Sequence, residues 1–136
     1  MALLTSIETT VRVRYAETDA MGIVHHASYL IWLEVGRTEL LRARGTSYRE
    51  IEDQGLLVVL GDLVVRYHAP ARYDDLIIVR TTLSAVRSRQ LCFDYSLRLA
   101  ERDTPLLTAR TSHIVLDRAT RRPTRLTAAL LDQFRG

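Results

Sequence analysis

The chain has 136 residues, of which 47% are hydrophobic and 26% are charged, a composition typical of a folded globular domain. No apolar run reaches the roughly 20 residues that cross a bilayer, so we expect no membrane insertion. All 19 basic residues are arginine; residues 66–136 carry 13 of them against 7 acids, whereas residues 1–65 carry 6 against 9. Because these arginines are scattered through strand patterns instead of clustered with aromatic residues, a small anionic ligand, or simply solvated strand faces, is favoured over nucleic acid.

The length predicts a single domain that spans residues 1–136. The first ten residues, MALLTSIETT, lack the basic start and apolar stretch of a secretory signal. The single cysteine, Cys92, allows no intrachain disulfide and no zinc site of the usual spacing. We therefore expect a cytoplasmic protein that holds no metal.

The N-terminal part alternates before it turns helical. In TVRVRY, residues 10–15, apolar side chains alternate with arginines, as in a half-buried strand. A polar loop covers residues 16–24. From about His25 to Arg44 the apolar residues recur at helical spacing, and Gly45 is a natural stop. Gly36 inside this helix predicts close packing against another element, because glycine otherwise costs roughly 1 kcal/mol in a helix.

The remainder of the chain has the period of strands. A short helical turn is predicted over SYREIEDQ, and a terminal helix over AALLDQF with Thr127 as its N-cap. Between them lie four strand patterns: LLVVLGDLVVRY, with a bulge expected at Gly61, LIIVRTTLSAV, LCFDYSLRLA and LLTARTSHIVLD. Since short turns join antiparallel strands, the predicted fold class is α+β, with a five-stranded antiparallel sheet wrapped around one long central helix.

Several catalytic signatures are absent from the sequence, namely the Gly-x-Ser-x-Gly elbow, the Gly-x-Gly-x-x-Gly fingerprint and the P-loop. Cys92, His68 and His113 lie in or beside predicted strands and have no activating neighbour in the pattern, so we interpret them as structural residues.

The loop before the long helix is the strongest candidate site. Tyr15, Asp19 and His26 lie within twelve residues of each other at the strand end, the loop and the helix start. Backbone N–H groups in a first helical turn lack partners and can hold a developing oxyanion. A carboxylate beside them can act as a base or a nucleophile. From the residues alone, a second interpretation stays open, in which Asp19 caps the helix and His26 packs.

The run from Tyr15 to Tyr29, Tyr-x-Glu-Thr-Asp-Ala-Met-Gly-Ile-Val-x-His-x-x-Tyr, resembles the signature of the hotdog-fold acyl-CoA thioesterases. The branch in question is that of 4-hydroxybenzoyl-CoA thioesterase and the Tol–Pal-associated acyl-CoA thioesterases. The likeness continues through WLEVGRTELLRARG and VRYHAPARYDD and covers roughly residues 9 to 120. The resemblance implies the hotdog fold and hydrolysis of an acyl-CoA to a carboxylic acid and coenzyme A. It implies no cofactor, because coenzyme A is part of the substrate.

The resemblance also implies roles for the residues of the loop. Asp19 matches the catalytic carboxylate, as nucleophile or general base. His26 matches the position whose backbone N–H points to the thioester carbonyl, and Tyr15 matches a tyrosine that flanks the site. Gly22 and Val24 of the same motif are assigned to substrate binding.

Two further implications concern the whole assembly. Arg87 and Arg89, in VRSRQ, align with a basic segment that meets the phosphates of coenzyme A. The family builds its site at a subunit interface, so the resemblance implies a homo-oligomer, a dimer or a tetramer. At His25 the benzoyl enzyme has an aromatic residue, and an aromatic acyl group is therefore not implied.

Two other functions are compatible with the pattern. A hotdog hydratase or dehydratase pairs a histidine with an acid, and Glu34 is the one other acid that could join His26. A non-catalytic module that binds an acyl-CoA or a nucleic acid is favoured by the arginine-rich second half, and predicts binding without turnover.

Overall fold

A computed structural model describes residues 6–135 of the chain. The expectation that MALLTSIETT holds no secretory signal falls for half of its length on residues 1–5, outside the described part. A 3₁₀ turn covers Tyr15–Glu17. The other elements are, in chain order, β1 (Ser6–Arg12), α1 (Ser28–Ala43), α2 (Tyr48–Asp53), β2 (Leu56–Tyr67), β3 (Leu76–Arg87), β4 (Gln90–Leu99), β5 (Pro105–Asp117) and α3 (Ala128–Arg135).

The five strands form one antiparallel sheet in the order β1-β3-β4-β5-β2. Tight turns join β3 to β4 and β4 to β5, whereas the long α1 separates β1 from β2 in the chain. The edges of the sheet are therefore β1 and β2. The predicted α+β class with a five-stranded antiparallel sheet around a central helix is confirmed.

The core lies between α1 and the inner face of the sheet. On β4 the alternating side chains of Leu91, Phe93, Tyr95 and Leu97 are buried, as the period of two requires. Facing them, α1 buries Tyr29, Leu33, Leu40 and Leu41 among others. Full burial of each such side chain stabilises the fold by about 1.5–3 kcal/mol, so this layer holds α1 in place.

Two local predictions are confirmed. The register of β2 against β5 shifts between Leu60 and Asp62, which places the expected bulge at Gly61. Thr127 caps α3, since its Oγ1 accepts the N–H of Leu130 at 3.2 Å.

The first strand ends earlier than the alternation predicted. β1 stops at Arg12, and Tyr15 begins a 3₁₀ turn instead of ending the strand. The physical reason is Glu17, whose Oε1 accepts the N–H of Arg14 at 2.8 Å and so draws the chain into a turn. Tyr15 is thereby removed from the strand face on which the alternation had placed it.

The long helix also begins later than predicted, at Ser28 and not near His25. The N–H of Ser28 donates to the carbonyl of His25, and the N–H of Ala27 donates to Nδ1 of the same histidine at 3.1 Å. These bonds form a turn that leads into the helix. His26 therefore lies just before α1, at the positive end of its dipole. Among residues 6–135, no helix is both long enough and apolar enough to cross a membrane.

Candidate active site

The loop between the 3₁₀ turn and α1 is closed by its own backbone. Thr18 and Val24 form an antiparallel bridge. Inside it, the N–H of Asp19 donates to the carbonyl of Ile23 at 2.9 Å, and the N–H of Gly22 donates back to the carbonyl of Asp19 at 3.0 Å. Gly22 has φ of 78°, which favours glycine. The backbone of Asp19 is therefore held on both sides.

The carboxylate of Asp19 serves the loop and not the helix. Its Oδ1 accepts the N–H of Met21 at 2.9 Å, while Oδ2 has no hydrogen-bond partner within residues 6–135. The N-cap of α1 is Ala27, and no side chain caps it. The capping interpretation of Asp19 is thus wrong, and one carboxylate oxygen of this half-buried side chain remains available.

A cavity of about 370 Å³ opens beside this carboxylate. Its walls come from the loop, the start of α1 and the end of β2: Asp19, Met21, Ile23, Val24, His26, Tyr29, Tyr67, His68, Ala69 and Pro70. Asp19 contributes the one carboxylate of this lining. An acid at the rim of a mainly apolar cavity is the arrangement expected of a site that binds an apolar group and does polar chemistry at its end.

His26 lines the same cavity and carries a backbone donor without a partner among residues 6–135. Its N–H donates to no acceptor in the described part of the chain. Its carbonyl is held by Tyr67, whose hydroxyl donates to it at 2.7 Å. The peptide groups around His26 are therefore fixed before any ligand arrives. The structure brings Asp19, Val24 and His26 together at this cavity, while Gly22 shapes the loop without lining it.

Tyr15 lies elsewhere. Its ring stacks on that of Tyr73, with centroids 3.7 Å apart and planes 9° apart, and it is 73% exposed. It is not part of the cavity wall. Within one chain, the structure therefore does not bring Tyr15 to this cavity.

Arg87 and Arg89 also lie away from the cavity. Both are exposed at the turn between β3 and β4. The opposite end of β3, at Leu76, is the end near the cavity, because Leu76 and Pro70 line one adjoining hollow. Eleven steps of about 3.3 Å place Arg87 up to roughly 36 Å from Leu76. A ligand at Asp19 cannot meet these arginines within a single chain unless it is very extended.

Three aromatic residues of the site were missed by sequence reasoning. Tyr67 and His68 come from the end of β2, about 50 residues after Asp19 in the chain. Tyr29 is buried, and its hydroxyl accepts the N–H of Ala71 at 3.1 Å; burial raises the pKa of this phenol. His68 Nε2 lies 3.2 Å from Thr108 Oγ1. A signal existed for all three: Tyr29 closes the recognised motif, and Tyr67 and His68 lie in VRYHAPARYDD, but the resemblance was not used to assign them to the site.

Glu34 does not join His26. Glu34 is exposed and lines a separate hollow of about 200 Å³ with Leu60 and Leu63, whereas His26 lines the Asp19 cavity. The histidine–acid pair on which a hydratase would depend is not formed by these two residues.

Comparison with known proteins agrees with this geometry. The thioesterase-like superfamily matches residues 13–134. The chain belongs to this superfamily. A putative acyl-CoA thioesterase of Bacillus subtilis, YneP, is 34% identical over 122 residues, which cover 90% of this chain and 88% of that protein. The acyl-CoA thioester hydrolase YbgC of Escherichia coli is 34% identical over 125 residues, 92% of each.

Solved structures show the same architecture. The DHNA-CoA thioesterase of Staphylococcus aureus superposes with a TM-score of 0.91 at 28% identity, covering 96% of this chain and 89% of that one. A second thioesterase structure, from Synechocystis, has a TM-score of 0.87 at 22% identity over 95% of each chain and supports the fold alone. The predicted family and the predicted hotdog fold are confirmed.

Proposed function

We propose that this member of the superfamily is an acyl-CoA thioesterase, which hydrolyses a thioester to a free carboxylic acid and coenzyme A. The observation that carries the proposal is an apolar cavity lined by both Asp19 and His26, where one Asp19 carboxylate oxygen and the His26 N–H have no hydrogen-bond partner among residues 6–135. The names of relatives that match about nine tenths of the chain support the same activity.

In this mechanism the thioester carbonyl oxygen accepts the N–H of His26 at the positive end of α1. This donor stabilises the negative charge that develops on the oxygen when the carbonyl carbon is attacked. As a general base, Asp19 takes a proton from the attacking water; as a nucleophile, its oxygen forms an anhydride that water then opens. In either route the C–S bond breaks, and the thiolate leaves and gains a proton to give coenzyme A. The acyl group lies against the apolar wall, and no separate cofactor takes part.

We also propose a homo-oligomer that acts in the cytoplasm. The edge strand β2 exposes Leu60 (50%) and Val64 (59%), and an unpaired apolar edge favours pairing with a second copy. Such edge-to-edge pairing would extend the sheet and bring Arg87 and Arg89 of one subunit towards the cavity of another. Two such dimers would form a homotetramer.

The test of the activity is Asp19→Asn, assayed by thiol release from a panel of short, long, branched and aromatic acyl-CoAs. The amide oxygen of asparagine can still accept the Met21 N–H, so the fold and the melting temperature should be retained. Loss of a general base costs about 10²–10⁴ in rate, and loss of a nucleophile can cost more. We therefore expect kcat to fall at least a hundredfold, with Asp53→Asn on the exposed side of α2 as the matched control.

Three outcomes would contradict the proposal. An Asp19→Asn protein that keeps more than about a tenth of wild-type kcat would remove Asp19 from the chemistry. Hydration of crotonyl-CoA without thiol release would indicate the hydratase alternative. Tight binding of acyl-CoA with no turnover would indicate the binding module.

A further inference from the structure

Glu17 is a buried acid just behind the candidate site. Glu17 is only 4% exposed to solvent. Its Oε2 accepts the indole N–H of Trp32 at 2.8 Å, and its Oε1 accepts the backbone N–H of Arg14 at 2.8 Å. The guanidinium of Arg14 lies 3.3 Å from Oε2 and is itself largely exposed. Because a buried carboxylate is costly without such partners, these bonds hold Glu17 and Trp32 in one arrangement.

The backbone carbonyl of Glu17 accepts a second set of hydrogen bonds, from the segment that leads into α1. This carbonyl accepts the N–H of His25 at 2.8 Å and the hydroxyl of Ser28 at 3.1 Å. One residue thus connects the 3₁₀ turn, the residue before His26 and the first residue of α1. It does so without lining the cavity, so it does not touch the space that a substrate would occupy.

The hydrogen bond from Trp32 to the Glu17 side chain is linked to the cavity wall by the packing of Trp32 on Tyr29. Trp32 lies one turn into α1 and packs edge-on against Tyr29, with ring centroids 5.0 Å apart. Tyr29 lines the cavity. In the other direction, Glu17 precedes Asp19 by only two residues, and the Thr18–Val24 bridge makes that short stretch rigid.

We infer that Glu17 is a positioning residue, whose buried carboxylate ties the Asp19 loop to Trp32 of α1 and so sets Asp19 against the N–H of His26. This inference rests on the proposed function of Asp19. A displacement of about 1 Å between reacting groups can cost a hundredfold in rate, even when the altered residue does not touch the substrate.

The charge state of Glu17 agrees with this role. Burial raises the pKa of the carboxyl, but the hydrogen bonds from Arg14 and Trp32 outweigh burial and leave that pKa below its ordinary value. Glu17 is therefore ionised at neutral pH, where its oxygens act as acceptors for the indole N–H.

The experiment compares Glu17→Ala, Glu17→Gln and Trp32→Phe in thiol-release assays on the intact protein. Alanine removes the acceptor, so kcat should fall at least tenfold while KM stays within threefold. Glutamine retains an acceptor for Trp32 and should recover most of the lost rate. Glu39→Ala is the matched control, because Glu39 also faces an arginine three residues away, Arg42, but on the outer side of α1.

A double-mutant cycle separates a tether from two independent defects. If Glu17 acts through Trp32, the combined Glu17→Ala/Trp32→Phe protein should be no more than about twofold slower than the slower single variant. Trp32 is the one tryptophan in the chain, so its fluorescence reports directly on this bond. The emission should change in Glu17→Ala, and not in Glu39→Ala, while the melting curve still shows a folded protein.

Losses that multiply in the double variant, or a folded Glu17→Ala protein within threefold of wild-type kcat, would overturn the inference. If Glu17→Ala does not fold, Trp32→Phe decides: a folded Trp32→Phe protein with kcat within threefold of wild type overturns it, and a tenfold loss at unchanged KM supports it. Failure of the proposed function would be recognised separately, since Asp19→Asn would then be as active as wild type. That result would also remove the basis of the Glu17 inference.

Discussion

His113 shows how a single residue can couple the core to pH without taking part in the site. It is 2% exposed, and its Nε2 lies 2.9 Å from the hydroxyl oxygen of Thr111. Burial and the nearby positive charge of Arg37 lower the pKa of this imidazole to about 4. His113 is therefore neutral in the folded protein, and the interpretation of this residue as structural agrees with its place beneath α1.

This pKa predicts a loss of stability in mild acid. In the unfolded chain a histidine titrates near 6.5, so between pH 6.5 and 4 the unfolded state binds the additional proton and stability falls as pH falls. From pH 6.5, where the unfolded histidine is half protonated, to pH 5, the free energy of unfolding should drop by about 1.6 kcal/mol, with a limiting slope of about 1.36 kcal/mol per pH unit. The stability that Glu8, Glu17 and Asp117 gain from their lowered pKa values is lost only below their ordinary values of 4.5, 4.5 and 3.8, outside this window. Urea unfolding of wild type and His113→Gln measures the drop, and equal slopes in the two proteins would contradict the assignment.

At the scale of elements, the position of α1 over β3 depends on Gly36. A Cβ at this position would lie 2.2 Å from Oγ1 of Thr81 and 3.0 Å from Cγ1 of Val79. The helix can approach the sheet this closely only because no side chain intervenes. The close packing predicted for Gly36 is confirmed, with β3 as the neighbouring element. This close approach also sets the distance between α1 and the sheet, and thus the position of the α1 N-terminus at the site.

Gly36→Ala should therefore destabilise the protein, although alanine is the better helix former by about 1 kcal/mol. Overpacking in a tight core costs about 1–3 kcal/mol, and that cost should exceed the gain in helix propensity. The free energy of unfolding in urea measures the difference. Thr81→Ala in the same chain removes the clashing Oγ1 and should restore much of the loss; a Gly36→Ala protein more stable than wild type would show that α1 lies further from β3.

At the scale of the whole molecule, the outer edge of β2, which pairs with no strand among residues 6–135, predicts self-association. We expect at least a dimer by light scattering at micromolar concentration. Leu60→Glu places a charge on that edge and should shift the protein towards a monomer with reduced activity, whereas Ser96→Glu, on the outer face of the central strand β4, should not. A fully active monomer would contradict a site shared between subunits.

The remote arginines give a second prediction at this scale. Replacing Arg87 and Arg89 together by alanine should raise KM for acyl-CoA much more than it lowers kcat, because phosphate contacts far from the carbonyl bind ground and transition states alike. Alanine at Arg42 and Arg49, which are exposed on α1 and α2 and line neither the cavity nor the adjoining hollow, removes the same charge and serves as the control. An unchanged KM with a collapsed kcat would assign these arginines another role.

Much of the structure of this protein follows from local patterns in its sequence. The bounds of β2 to β5, the bulge at Gly61 and the cap at Thr127 follow from side-chain period and from hydrogen bonds between near neighbours. Asp19 and His26 could be placed at one site from their spacing, because only six residues lie between them. The family motif covers the same short stretch.

Only the tertiary structure decided which distant residues complete the site and which stay away from it. Tyr67 and His68 line the cavity because β2, the edge strand opposite β1, ends beside the residues that precede α1, where Tyr67 bonds the carbonyl of His26. Tyr15 turns outward because the buried carboxylate of Glu17 binds Arg14 and Trp32 and bends the chain. These outcomes depend on packing between segments far apart in the chain, and periodicity along a strand or helix contains no information about that packing.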